Sequence, residues 1–585
     1  MTMLHDPGDC TVAATLIAGG EAEGAIVFAA TPLSFWGGID PATGRVIDRQ
    51  HPLSGVETAG RILAIPGARG SCTGSSVMLE LLLNGNAPAG LILAEPDEIL
   101  ALGVLVAEIM FGVSIPVANI GPAAFARIEG AHFARIANGA VSLLNQPPTD
   151  AWVAAPIATR QFPLDVELSA LDRAMLGGEY GDAAAVAMQI ILRMASLQHA
   201  PALIDVHRAH IDGCIYTGAS SLRFARRLVE LGGQVRIPTT LNAISVDRRR
   251  WRELGIETQF AEAADALAQA YLDMGARETF TCAPYLLDDA PKFSEQIVWA
   301  ESNAVVYANS VLGARTQKYA DFLDICIALT GRAPCAGSHL DNGRRATLRI
   351  GITVPDGCDD ALWPLLGYCL GLLSGSQIPV ICGLEDCAPT TDDYKAFGAA
   401  FATTSGAPMF HIAGCTPEAP TAAAACGGIA PARSLNISRA DLATAWRALD
   451  SATTDEIQLV SLGSPHLSLS ECARLAELCD GRTRHARTRV VLTLGRHVEA
   501  QARAAGYLAK IEAFGATIVT DTCWCMLGAP VIAPDCCTLL TNSGKYAYYA
   551  PGLVNRQVQF ASLADCIAAA CNGRRSPALP GWLLP

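Results

Sequence analysis

From about residue 166 to the end of the chain, short apolar runs rich in Val, Ile and Thr alternate with segments of helical periodicity. The runs fall at 214–217, 234–237, 279–281, 347–354, 379–382, 409–412, 458–462, 489–494 and 517–520. Helical patterns such as 392–403, 441–449, 469–478 and 497–514 separate many of them. A strand that returns parallel to its predecessor needs a long crossover, usually a helix. The alternation therefore predicts an α/β fold, with parallel sheets covered by helices on both faces. Ligands of such sheets sit beyond the carboxyl ends of the strands.

The first 145 residues read as a smaller α/β module of their own. Strand-like runs occur there at 25–30, 62–66, 91–94 and 115–120, with helices at 76–84 and 97–111. Gln146-Pro-Pro-Thr-Asp150, Pro156 and Pro163 then interrupt any periodicity, so 146–165 is expected to be a linker. The large domain is expected over 166–585, in two or more α/β lobes.

A chain of 585 residues that is 51% hydrophobic and 17% charged can bury large sheets. Its net charge of −14 speaks against nucleic acid as a partner. The longest uncharged run, 361–384, contains prolines and glycines and reads as helix, turn and strand, not as a membrane span. Twenty cysteines in a long chain that opens with Asp6 and Asp9 and no signal peptide point to buried thiols in a reducing cytoplasm. The chain is expected to act as a monomer or homo-oligomer.

No C-x-x-C pair occurs, and Cys523-Trp-Cys525 and Cys536-Cys537 fit no common zinc spacing. Cys282, Cys523 and Cys566 stand in distinctive local motifs, two of them after a β-branched run. Taken singly, each cysteine also reads as a small buried hydrophobe. Taken together, three remote thiolates presented from an α/β scaffold can hold an iron–sulfur centre with one iron position open, and an open iron suits dehydration of a hydroxy acid.

Four further segments carry candidate chemistry. The loop Pro66-Gly-Ala-Arg-Gly-Ser-Cys-Thr-Gly-Ser-Ser76 lacks the lysine of a Walker loop. It leaves three readings open: a helix-capping turn, a nucleophile elbow centred on Cys72, or a site where Ser71 acts as a base with amide donors or Arg69 beside it. Glu301 opens a small-residue segment that ends in Gly313-Ala-Arg-Thr316, either as an acid near a leaving hydroxyl or as a helix-start carboxylate. Thr541-Asn-Ser-Gly-Lys-Tyr546 suits an anionic group or a solvated loop. His207 and His210 precede a strand and fit substrate hydrogen bonding or a satisfied structural role.

These segments resemble the aconitase X family in its bacterial form, with both parts fused in one chain. The resemblance rests on Ala209-His-Ile-Asp-Gly213, Thr281-Cys-Ala-Pro-Tyr285, Glu301-Ser-Asn-Ala-Val-Val-Tyr-Ala-Asn-Ser310, Asp521-Thr-Cys523 and Thr541-Asn-Ser-Gly-Lys-Tyr546, and covers nearly the whole chain. It implies an aconitase-like fold with an N-terminal swivelling domain. It implies Cys282, Cys523 and Cys566 as cluster ligands, [2Fe–2S] ahead of [4Fe–4S], and Ser71 as the base that removes a proton α to a carboxylate. Gly218, Ala219, Ser220, Asn242, Glu301 and Ser302 match positions that line the family's substrate pocket. His210 joins them as a substrate contact, and Lys545 and Arg315 are candidate carboxylate contacts.

The reaction the resemblance implies is dehydration of cis-3-hydroxy-L-proline, a small hydroxy amino acid, to Δ1-pyrroline-2-carboxylate. Its alternative within the family is dehydration of (R)-5-phosphomevalonate, whose phosphate would ask for several cations in the pocket. A reading from another class makes the chain a thiol hydrolase using Cys72.

Overall fold

The computed structural model describes residues 10–48, 51–69, 71–147, 165–575 and 579–584. The expected linker falls, over 148–164, outside the described residues, as does Gly70 of the Ser71 loop. The chain forms two compact units.

One unit combines the chain up to Ile204 with Thr217–Gln234 and Tyr319–Ala336. Its eight-stranded sheet runs Cys10–Ala13, Ala140–Leu144, Phe133–Ala137, Ala22–Phe28, Ile62–Ile65, Gly90–Leu93, Val117–Asn119, Thr15–Ala18. The central neighbours from Ala22–Phe28 to Val117–Asn119 are parallel. Ile62–Ile65 and Gly90–Leu93 are buried at every position, which is why they read as unbroken apolar runs. Helices Gly74–Leu83 and Glu98–Phe111 form the crossovers and pack on each other. Asp97 caps the second, its Oδ1 accepting from Leu100 N at 2.8 Å, and the helix ends at Gly112 in the left-handed region (φ 69°). Helix Asp182–Leu197 packs on Glu98–Phe111, and helix Ala219–Glu230 on Gly74–Leu83.

The other unit holds Asp205–Tyr216, Val235–Lys318 and Gly337–Pro585, built on three parallel sheets. A short sheet orders Thr239–Leu241, Ala209–Ile211, Val298–Trp299. A second orders His411–Ile412, Pro379–Cys382, Leu348–Ile352, Arg433–Ile437. A third orders Ala516–Thr520, Arg489–Leu494, Leu459–Leu462, Thr538–Thr541, Gln557–Phe560. In the second and third sheets the chain winds outward from the first strand, then returns to its other side. The reversal opens a crevice beside that first strand.

The runs at 214–217, 234–237 and 279–281, read as strands from sequence, are irregular here. The sheet uses Ala209–Ile211, Thr239–Leu241 and Val298–Trp299 instead, each at most three residues long. Segments so short carry no measurable alternation, and hydrogen bonds to neighbours define them. Among the described residues no helix is long and apolar enough to cross a membrane.

Candidate active site

The carboxyl ends of the three short parallel strands each deliver one polar side chain. Asp212 follows Ala209–Ile211, Asn242 follows Thr239–Leu241, and Glu301 lies two residues beyond Val298–Trp299. Asn242 Nδ2 donates to Asp212 and, at 3.1 Å, to Glu301 Oε2. Glu301 also starts helix Ser302–Tyr307, with Asn303 Nδ2 donating to its Oε1 at 2.5 Å. All four side chains are buried. Ser302, the first residue of that helix, is buried beside them in sequence.

Cys282 and Cys523 pack together in a small buried cluster with Ala243, and Cys525 lies against it. Cys282 reaches this point on an irregular segment beside Thr239–Leu241, where Phe280 has φ 40° and Thr281 N donates to Leu241 O at 3.2 Å. Cys523 comes from the end of strand Ala516–Thr520 through Asp521, a non-glycine residue in the left-handed region (φ 66°) held by Arg496 at 2.5 and 2.8 Å. Hydrogen bonds from the Cys282 and Cys525 thiols pull Cys523 well below the ordinary thiol range against burial, and Lys545 adds to the effect. Burial pushes Cys282 up, and its bond to Cys523 reinforces that.

Lys545 enters from the crevice of the five-stranded sheet. It follows strand Thr538–Thr541 and the cap Ser543, whose Oγ donates to Ser464 O beyond the adjacent strand Leu459–Leu462. Gly544 permits this approach, since a Cβ there would meet Pro364 O at 2.9 Å. Lys545 Nζ lies 2.8 Å from Glu301 Oε1. Burial alone would raise the Glu301 carboxyl, but the ammonium outweighs it and holds Glu301 below its ordinary value. So held, Glu301 accepts from Lys545, Asn242 and Asn303.

His210 is fully buried, and burial pushes it down to about 3. His210 Nδ1 lies 2.8 Å from Thr240 Oγ1, and Thr240 Oγ1 lies 3.1 Å from Ala209 O. Glu301 and Asn242 are among the groups that act on this ring.

Arg315 is placed elsewhere. Its guanidinium bonds Asp341 at 2.5 Å and His339 O at 3.0 Å. Cys566 sits on helix Leu563–Asn572 in the apolar core behind the five-stranded sheet, with Asp360 and Asp565 as its charged neighbours. The cysteine that joins Cys282 and Cys523 is Cys525.

Ser71 and Gly218–Ser220 belong to the first unit. Ser71 stands two residues before the N-cap of helix Gly74–Leu83, its Oγ accepting from Thr73 N at 3.3 Å and donating to Thr73 Oγ1 at 3.0 Å. Arg69, a possible helper from sequence, turns instead to Asp48 at 2.8 Å. Cys72 is fully buried, so its sulfur is not presented to solvent as an elbow nucleophile would be. Ser220 N, at the start of helix Ala219–Glu230, donates to the buried carboxylate of Glu80 at 2.7 Å.

Sequence reasoning did not single out Asp212 or Asn303, named Cys525 only to set aside a zinc site, and passed over His466, whose backbone N–H lies 3.3 Å from Cys282 Sγ. The first three stand within the motifs already quoted. His466 had one sequence mark, its place in the loop after the apolar run 458–462.

An iron–sulfur centre needs thiolates gathered at one point. Cys282, Cys523 and the adjacent Cys525 fit that need in donor chemistry, although among the described residues no three His, Cys, Asp or Glu side chains are already spaced to hold a metal ion.

Four family models match the chain in succession: the aconitase X swivel domain at 11–143, first domain at 165–342, second domain at 346–447 and third domain at 457–572. The chain is 58% identical to a cis-3-hydroxy-L-proline dehydratase of Pseudomonas aeruginosa, over 97% of this chain and 98% of that one. It is 50% identical to a cis-3-hydroxy-L-proline dehydratase of Hypocrea jecorina, over 96% of each. It superposes on the crystal structure of Thermococcus kodakaraensis aconitase X in its holo form with a TM-score of 0.62 and 30% identity, covering 69% of this chain and all of that one.

Proposed function

The chain belongs to the aconitase X family and is a hydro-lyase, and from that premise we propose that it dehydrates cis-3-hydroxy-L-proline to Δ1-pyrroline-2-carboxylate. The observation that carries the substrate is the 58% identity, over nearly the full length of both chains, to a relative of that name.

The chemistry asks for two operations on adjacent carbons. The proton on C2, next to the carboxylate, leaves to a base, and the hydroxyl on C3 leaves with its electron pair. The enamine so formed tautomerises to the cyclic imine. In the cis isomer the C2 proton and the C3 hydroxyl lie on opposite faces of the ring, so base and hydroxyl acceptor work from opposite faces.

Ser71 is proposed as the base. Its position just ahead of a ten-residue helix gives an alkoxide the favourable end of the helix dipole and an amide donor at Thr73. Lys545 has donors beyond the one given to Glu301, and these suit the substrate carboxylate. Glu301, kept ionised, suits the ring ammonium. His210 is a further proposed hydrogen-bond partner of the substrate. Asn242 and Ser302, with Gly218, Ala219 and Ser220 at the start of helix Ala219–Glu230, are the remaining proposed contacts.

Cys282 and Cys523 are proposed as sulfur ligands of an iron–sulfur centre, of the [2Fe–2S] type. When bound, such a centre supplies a Lewis-acidic iron for the departing hydroxyl. The third sulfur is Cys566 by resemblance and Cys525 by position. Iron content of the Cys525→Ser and Cys566→Ser proteins separates them, because only loss of a ligand lowers it.

The test of the reaction is a substrate panel on anaerobically purified enzyme: cis-3-, trans-3- and 4-hydroxyproline, and phosphomevalonate. Only the cis-3 isomer should lose water. Turnover of phosphomevalonate alone would overturn the substrate.

A further inference from the structure

His466 lies where three remote stretches of the chain converge. It follows strand Leu459–Leu462 at the crevice of the five-stranded sheet and is fully buried. Its backbone N–H donates to Cys282 Sγ at 3.3 Å. Its Nε2 lies 2.8 Å from Thr522 O, the carbonyl just before Cys523. A carbonyl only accepts, so Nε2 carries the hydrogen and Nδ1 is left as an acceptor. Thr281 Oγ1, just before Cys282, lies 3.4 Å from Nδ1, and the tautomer makes the hydroxyl the donor. One residue thus bonds Cys282 directly and bonds the residue preceding each of the two cysteines.

Its own place is fixed from another sheet. Lys395, on helix Thr391–Thr404, donates to His466 O at 3.0 Å and is paired with Glu471 in a nearly dry setting. Gly495 completes the seat, since a Cβ there would stand 3.0 Å from Thr281 Oγ1 and 3.6 Å from His466 Nδ1.

We infer that His466 is a positioning residue which sets the separation of Cys282 and Cys523 by tying their two loops together. The inference rests on the reading of these cysteines as ligands of the iron–sulfur centre. The ring acts through neutral hydrogen bonds of fixed direction, and the bond to Thr522 O is the one that holds the Cys523 loop. Groups beyond the ligands of a metal commonly hold them in this way. A glutamine carries its amide nitrogen near the place of imidazole Nε2, and an asparagine falls short of it. H466Q therefore keeps the tie and H466N breaks it.

The experiment has two readouts. Metal-free protein is labelled with an aromatic disulfide under native conditions, and the labelling rates of Cys282 and Cys523 are read by peptide mass spectrometry. Iron and acid-labile sulfide are then measured after anaerobic reconstitution. H466N should label faster at both cysteines and hold iron about 10–100-fold more weakly, and H466Q should match the unaltered enzyme in both. Unchanged labelling and iron affinity in H466N, or an H466Q no better than H466N or unable to fold, would overturn the inference. Should H466N itself not fold, T281A removes the partner of Nδ1, and with it the acceptor of Ala283 N beside Cys282, so Cys523 is the cysteine to read. Faster labelling of Cys523 in T281A then supports the tie, and unchanged labelling there overturns it. An unaltered enzyme that takes up no iron would defeat the ligand reading alone, because the labelling is read without metal.

Discussion

Lys545 Nζ and Glu301 Oε1 stand 2.8 Å apart across 244 positions of the chain, both side chains below 10% exposed. Each charge compensates the other where water does not. Glu301 has Asn242 and Asn303 as further donors, so its carboxylate is fully engaged on one side.

Replacing Lys545 with Met removes one partner and leaves Glu301 charged and buried. Loss of one member of a buried pair costs about 3–5 kcal/mol. Urea unfolding of K545M should show that loss, and turnover of cis-3-hydroxy-L-proline should vanish. K545M with native stability would mean that the pair is solvated in solution.

Removing the Ser71 hydroxyl should leave the fold intact, since among the described residues the side chain bonds only Thr73, within its own loop. A positioned base is worth about 10²–10⁴ in rate. S71A should therefore lose turnover on that scale with an unchanged melting temperature. C72S, at a buried position, should retain turnover. The opposite pattern would restore the thiol hydrolase.

Gly218 has φ 153°, and a Cβ there would stand 2.3 Å from the Glu80 carboxyl carbon. G218A must push Glu80 off Ser220 N and uncap helix Ala219–Glu230. Loss of a cap costs about 0.5–2 kcal/mol. Calorimetry of G218A should show a loss of that size, and E80A should show a similar one. A G218A protein as stable as its parent would contradict the contact.

Asp172 and Arg332 form a buried pair at 2.7 Å, with side chains 1% and 9% exposed. Burial alone would raise the Asp172 carboxyl, but Arg332 and Ser169 outweigh it and the net shift is downward. An acid whose folded value lies below its unfolded value of about 3.9 adds stability that is complete above that pH and lost as pH falls through the folded value. Acid unfolding of D172N, followed by circular dichroism, should begin from lower stability at pH 7 and depend less steeply on pH below 4 than the parent does. Parallel acid profiles would show that the pair does not titrate with folding.

The sequence made the parallel sheets legible because strands Leu459–Leu462 and Arg489–Leu494 are buried at nearly every position and carry apolar runs, and Leu348–Ile352 buries alternate apolar residues. The same reasoning missed Ala209–Ile211 and Thr239–Leu241, because polar three-residue strands are defined by their partners. Cys282, Cys523, Glu301 and Lys545 stood out by local motif, and the fold brings all four to one point. Arg315 stood out in the same way but spends its charge on Asp341, a partner no spacing rule identifies. Cys566 and Cys525 show the limit most clearly. Only the folded chain reveals that Cys525 packs beside Cys523 while Cys566 faces the core of its sheet. His466 was illegible for the same reason, since every group it bonds comes from a remote segment.

The central claim is that Cys282 and Cys523 jointly hold the iron on which dehydration depends. Its most direct test is iron and acid-labile sulfide per chain in anaerobically purified parent and Cys523→Ser protein, alongside turnover of cis-3-hydroxy-L-proline. The parent should contain both elements and turn over, and the variant should fold but lack iron, sulfide and turnover together. A Cys523→Ser protein that keeps its iron and sulfide, or a parent that dehydrates the substrate with neither bound, would contradict it.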